Sequence, residues 1–209
     1  LTKQKNHSSD ISPTAGQMPR LVGLAQASKV YRALKIKGSE RFSNDGNEIA
    51  WGTIGNASTS EGLFLEAMNA AGVMQIPMVM SVWDDDYGIS VHNKDHTTKE
   101  SISKALSGFK VTSDSSGIEI LEVKGWDYQS LIKTYSYAEK IAREHHIPVI
   151  IHEGNKKAGL ANRVGSKFAK EVFQMFPNSI KGAKTIGMPL RSEISNLNKE
   201  SSRNSARAS

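Results

Sequence analysis

Two short segments of this 209-residue chain hold residue types that can grip an anion and a divalent cation together: Gly55-Asn56-Ala57-Ser58 and Asp84-Asp85-Asp86-Tyr87. In the first, Gly55 and Ala57 leave backbone N–H groups unobstructed just ahead of a helix start, the arrangement that receives a diphosphate. Asn56 and Asp85 supply hard oxygen ligands, which suit a Mg²⁺ ion bridging that diphosphate. Taken singly, the first segment reads more simply as an ordinary strand-to-helix turn and the second as a solvated acidic turn. Their joint spacing favours a site.

The elements that must position these residues follow from hydrophobic patterning. Residues 48–54 form a short apolar run opening onto Gly55, a buried strand. Ser58 or Thr59 can cap a following helix, Glu61 suits its positive end, and Leu63, Phe64, Ala67, Met68 and Ala71 make one apolar stripe, with Gly72 weakening the end. Residues 76–83 are a second strand, with Pro77 tolerated at its start, running into the acidic turn. This is a β-α-β unit, and doubly wound sheets bind ligands beyond the carboxyl ends of their strands. Upstream, Pro13-Thr14-Ala15-Gly16 is a turn feeding a helix that reaches Leu34. Downstream, the pattern predicts a helix over 101–109, a strand over 118–123, a helix opened by Trp126-Asp127, and a strand over 148–152. Alternating strands and helices give an α/β fold with a mostly parallel, doubly wound sheet.

Composition narrows the classes. Cysteine is absent, which removes disulfides and thiolate metal sites and makes a reducing, cytoplasmic setting the expectation. No apolar run approaches the length of a membrane span. The formal charge of +6 raises nucleic-acid binding, but residues 46–88 are acidic on balance and the basic excess lies after residue 155, so that role is not expected. The chain starts with Leu and a dense motif begins almost at once, as in a fragment or processed piece.

The two motifs together resemble the thiamine diphosphate motif of the alpha subunits of thiamine-diphosphate-dependent 2-oxo acid dehydrogenases, or of the alpha half of fused alpha/beta chains. That family shows Gly-Asp-Gly or Gly-Glu-Gly and, about thirty residues on, Asn-Asn-Gly-Tyr-Ala-Ile-Ser; this chain has Gly55-Asn56-Ala57 and Asp84-Asp85-Asp86-Tyr87-Gly88-Ile89-Ser90. The acidic and amide ligands are exchanged, so one carboxylate and one amide oxygen are still offered. Asp86 replaces the usual Gly, and Trp83 stands where a phosphate-contacting Arg can occur. Ser12-Pro13-Thr14-Ala15-Gly16-Gln17-Met18-Pro19 resembles the family segment near the cofactor's ring end, and Thr59-Ser60-Glu61-Gly62 with its continuation resembles the helix after the first motif. The likeness covers about 12–152 and looks closest to the branched-chain or pyruvate type.

The resemblance implies thiamine diphosphate and Mg²⁺ as cofactors, with Ser12, Thr14, Gly55, Asn56, Ala57, Ser58, Asp85, Tyr87 and Ile89 around the cofactor. It assigns Asn56, Asp85 and the Tyr87 backbone carbonyl to the metal. It implies oxidative decarboxylation of a branched-chain 2-oxo acid or pyruvate, with the acyl group passed to the lipoyl group of an acyltransferase component. A beta subunit or fused beta half is the implied partner, since the family's activating glutamate comes from there and no matching segment occurs here. Catalytic residues are left unassigned.

Alpha chains of this type carry a Gly-His-Ser-Thr-like loop soon after the strand ending near His152, yet here residues 161–164 read Ala-Asn-Arg-Val and no His follows His152. Divergence, frameshift, truncation or lost activity all remain open, and an inactive remnant that keeps the fold and partner surface is the alternative function. The expected division is a 1–11 remnant or linker, a 12–153 cofactor-binding domain, a diverged 154–190 region and a disordered basic 191–209 tail. Of the histidines, His92 and His96 lie in a polar loop able to reach substrate but more simply idle, His145-His146 suits a helix dipole, and His152 reads as a satisfied buried histidine.

Overall fold

Apolar runs are separated by turn residues along the chain, and in the computed structural model they produce strands and helices that largely alternate. Residues 11–154, 167–168, 170–174 and 181–186 are described. Helix α1 (Met18–Leu34) starts with a proline in its first turn and stops where Lys35 turns left-handed. Strand β1 (Ala50–Gly55) leads through a 3₁₀ turn (Ala57–Ser60) into α2 (Gly62–Met74) and then β2 (Met78–Asp84). A two-residue turn joins β3 (Tyr87–Gly88) to antiparallel β4 (Val91–His92), and short α3 (Asn93–His96) and α4 (Ile102–Ala105) follow. Strand β5 (Glu119–Lys124), helix α5 (Tyr128–His145) and strand β6 (Val149–Gly154) complete the order.

The four long strands make one parallel sheet in the order β1-β2-β6-β5. Period-2 alternation sends Met78, Met80 and Val82 of β2, with Ile150 of β6, into a core closed by α1, α2 and α4. Val79, Val149 and Ile151 face the other way and pack with Ala138, Ile141 and Ala142 of α5. Both faces are thus covered, which is why β2 is apolar almost throughout. Among the described residues, no helix is long and apolar enough to cross a membrane.

Several local expectations change. Neither Ser58 nor Thr59 caps α2: the chain makes a 3₁₀ turn first, the Thr59 hydroxyl donates to the Asn56 carbonyl at 2.6 Å, and Glu61 takes the cap position without a side-chain bond. Leu63 is 39% exposed, so the buried stripe of α2 is Phe64, Ala67, Met68, Ala71 and Gly72. Asp84 is the last residue of β2 and is buried, not part of a solvated turn.

The chain divides into two units, Leu1–Lys157 and Ala158–Ser209. In the second, Phe173–Gln174 (β7) pairs in parallel with Lys184–Thr185 (β8), and the Lys184 ammonium lies 3.9 Å from the Glu171 carboxylate. The expected loop at 161–164 and the 191–209 tail lie outside the described residues.

Candidate functional site

Parallel pairing brings the two motifs side by side. Gly55 sits opposite Trp83 in register, and the Asn56 N–H donates to the Trp83 carbonyl at 3.2 Å. Beyond these strand ends the β3–β4 hairpin lies over the 3₁₀ turn, in contact tight enough that a Cβ at position 88 would come within 2.4 Å of the Ala57 Cβ. Only glycine permits this approach. A Cβ at Gly55 would instead meet nothing within 4 Å, because that position opens onto a cavity.

That cavity measures about 700 Å³, and Thr14, Gly55, Asn56, Ala57, Ser58, Asp85, Tyr87 and Ile89 all border it. Ser12 borders an adjoining cavity of about 490 Å³ that shares Thr14, Gly55 and Ser58. The structure thus brings eight of the nine expected residues to one cavity and the ninth next to it. Glu61, Trp83, Asp84, Gly88, Gly125 and Glu153 complete the larger wall. Trp83 is 58% exposed there, an uncharged surface where the resemblance would allow an arginine.

Behind the wall runs a buried polar network that sequence reasoning did not find. His152 Nε2 lies 2.7 Å from Asp84 Oδ2, and Asp84 Oδ1 accepts from the Asn93 side-chain amide and the Asp86 N–H, each at 2.7 Å. Asn93 Oδ1 in turn accepts from Asn56 Nδ2 at 2.8 Å. Burial works to raise the Asp84 pKa, but the hydrogen bonds from His152, Asp86 and Asn93 together hold it below the ordinary carboxylate value. His152 also reaches Ser103 Oγ at 3.1 Å, so its two ring nitrogens are satisfied. Parity could have flagged the pair, since Asp84 and His152 share the faces of Met80 and Ile150; Asn93, in an unforeseen short helix, carried no signal.

The second motif is built on unusual backbone. Asp86 has φ 75° and Ile89 φ 58°, both left-handed. The glycine expected at position 86 therefore has a conformational basis, and Asp86 meets it at some cost while its carboxylate faces His92 Nε2 at 3.3 Å. Asp85 is exposed, and its Oδ1 accepts from the Tyr87 N–H at 3.3 Å. Tyr87 meets the His92 ring edge-on, and His96 Nδ1 lies 2.9 Å from the Thr97 hydroxyl. Neither His92 nor His96 borders the larger cavity.

On the α5 side, Trp51 stacks on Tyr135 with ring centroids 5.3 Å apart. The Tyr135 hydroxyl donates to Glu153 and lies 2.8 Å from Ser81 Oγ; burial, then Glu153, pushes its pKa up. Glu153 thus reaches the cavity wall already hydrogen-bonded.

The donor set fits a magnesium ion. Asn56 spends its amide nitrogen on Asn93 and so keeps Oδ1 for a ligand, while Asp85 adds a carboxylate on the same cavity. Among the described residues no three His, Asp or Glu side chains group around a metal position, so such an ion would rest on amide and backbone oxygens beside one carboxylate.

Residues 2–153 match the family described as "Dehydrogenase E1 component". Among solved structures, the chain is similar to transketolase of Campylobacter jejuni (20% identity, TM-score 0.50, 67% of this chain and 20% of that one). It is likewise similar to a transketolase mutant of Pichia stipitis (20% identity, TM-score 0.52, 68% and 19%). At this identity the likeness concerns the fold. Among curated proteins, the chain is similar over short stretches to UDP-N-acetylglucosamine--N-acetylmuramyl-(pentapeptide) pyrophosphoryl-undecaprenol N-acetylglucosamine transferases. That of Saccharopolyspora erythraea is 46% identical over 69 residues, 32% of this chain and 18% of the relative. That of Blochmanniella floridana is 56% identical over 54 residues, 26% and 15%. The chain thus spans under a fifth of the length of these two relatives.

Proposed function

The chain belongs to the dehydrogenase E1 component family, and from that premise we propose that it binds thiamine diphosphate through Mg²⁺ in the cavity between its two motif loops. In this reading Asn56, Asp85 and the Tyr87 carbonyl hold the ion, and Gly55, Ala57 and Ser58 receive the diphosphate. Ser12, Thr14 and Ile89 border the rest of the cofactor. When bound, the cofactor supplies the nucleophile for decarboxylating a 2-oxo acid. The chain's own residues bind and orient it, with a beta partner completing the site and a lipoyl-bearing acyltransferase accepting the acyl group. Branched-chain 2-oxo acids or pyruvate are the proposed substrates and the cytoplasm the proposed setting. The observation that carries the reading is the convergence of both motifs on one cavity, with Gly88 against Ala57.

Calorimetric titration with thiamine diphosphate tests it. Binding should require Mg²⁺ and be lost in Asn56→Ala and in Asp85→Ala; absence of metal-dependent binding, even with a beta chain present, would sink the proposal.

A second reading concerns the residues past 153, which lie outside the E1 match. With residues 2–153 taken up by the E1 match, we infer that this stretch carries much of the short likeness to the glycosyltransferases and stands in place of the E1 continuation. Such a junction accounts for Ala161-Asn162-Arg163-Val164 where a histidine loop was expected, and it favours an incomplete catalytic unit.

A further inference from the structure

The buried network has a direction, and that direction decides which end of the Asn56 side chain faces the cavity. An ionised carboxylate only accepts hydrogen bonds, and Asp84 receives three donors: the Asp86 N–H, Asn93 Nδ2 and His152 Nε2. Because Asn93 must present its NH₂ to Asp84, its Oδ1 faces Asn56, at 2.8 Å. Asn56 must then donate with its own NH₂, which turns its Oδ1 away from Asn93. We propose that Asp84 and Asn93 are positioning residues that fix the polarity of the Asn56 amide, so that its oxygen and not its NH₂ is offered to the cation in the cavity. This deepens the proposed function and rests on its assignment of Asn56 as a metal ligand.

The arrangement has a physical motive. An acidic ligand at position 56 would present oxygen whichever way it turned, whereas an amide presents oxygen in only one of two flips of almost identical shape. A chain with Asn56 therefore needs a fixed acceptor upstream of it. The network is well shielded: Asn93 is 1% exposed, Asn56 4% and Asp84 5%, so water competes little for these bonds.

Removal of the fixed acceptor is the test. Asp84→Leu keeps the branched shape but accepts no hydrogen bond, which leaves Asn93 and then Asn56 free to flip and lets an NH₂ turn toward the ion. Mg²⁺ affinity, titrated calorimetrically with thiamine diphosphate present, should fall roughly tenfold to a hundredfold, as for other partners that orient a metal ligand. Adding Asn56→Asp to Asp84→Leu should restore it, because a flipped Asn93 would then donate to a carboxylate that offers oxygen either way. A merely structural role for Asp84 predicts no such rescue. Should Asp84→Leu fold poorly, the unaltered chain answers the question by NMR: the Asn56 side-chain NH₂ should be protected from exchange, and its carbonyl carbon should shift when Mg²⁺ and thiamine diphosphate are added. Unchanged affinity in Asp84→Leu, failure of the double variant to recover, or a freely exchanging Asn56 NH₂ overturns the inference. Asn56→Ala separates the two proposals. If it keeps metal-dependent binding, the assignment of Asn56 as ligand fails first; if it loses binding while Asp84→Leu does not, only the relay fails.

Discussion

Ile89 carries a β-branched side chain at φ 58°, the first position of the two-residue turn between β3 and β4, where backbone twist favours glycine. It is 89% exposed, so its side chain contributes almost no burial to offset the strain. Ile89→Gly should stabilise the fold by about 1 kcal/mol, the relief of left-handed strain less glycine's entropy in the unfolded chain. In thermal melts this is a rise of a few degrees. If thiamine diphosphate packs on Ile89, the same variant should bind it more weakly. Strain of this kind gathers at binding sites, and Asp86 two residues from Gly88 shows it again.

Contacts between elements set the distance between the motifs. Gly88→Ala would drive a methyl into Ala57, whose own methyl has no rotamer to escape by, and so should part the hairpin from the 3₁₀ turn and abolish metal-dependent cofactor binding. Ala57→Gly in the same chain should restore it, as titration of the two variants side by side would show. The C-terminal end of α5 behaves unlike the dipole contact expected there. His146 is left-handed at φ 56°, and burial, then Arg32 and Lys29, lowers its pKa, so it is held neutral. A His whose folded pKa lies below the ordinary value of 6.5 contributes stability that is complete above that value and lost as pH falls below it through the folded pKa. Denaturant unfolding from pH 7.5 down to 5 should show this decline, and His146→Asn, which tolerates the left-handed backbone, should flatten it.

For the whole molecule, the division at Lys157 is the relevant boundary. The sheet, both cores and every residue assigned to the cavity belong to the first unit. Deleting residues 158–209 should therefore leave metal-dependent binding of thiamine diphosphate unchanged in calorimetry, whereas dependence on those residues would place part of the site beyond the sheet. In the proposed reading the chain binds the cofactor, and the activating acid comes from the beta partner that the family resemblance implies. Decarboxylation should thus be absent from the chain alone.

The β-α-β unit, the parallel sheet and the pairing of two turns at neighbouring strand ends were readable from residue order, because alternation, small-residue turns and apolar stripes are local properties that hold before the chain folds. The placement of Asn56 and Asp85 on one cavity was readable too, since both are adjacent to those turns. What tertiary structure alone decided was the fate of Asp84. Sequence placed it in a water-facing acidic run, but β2 extends to include it, and its partner His152 lies 68 residues away on another strand. Which way an amide points, and whether a carboxylate is hydrated or buried, depends on donors that only the assembled sheet and hairpin bring within reach.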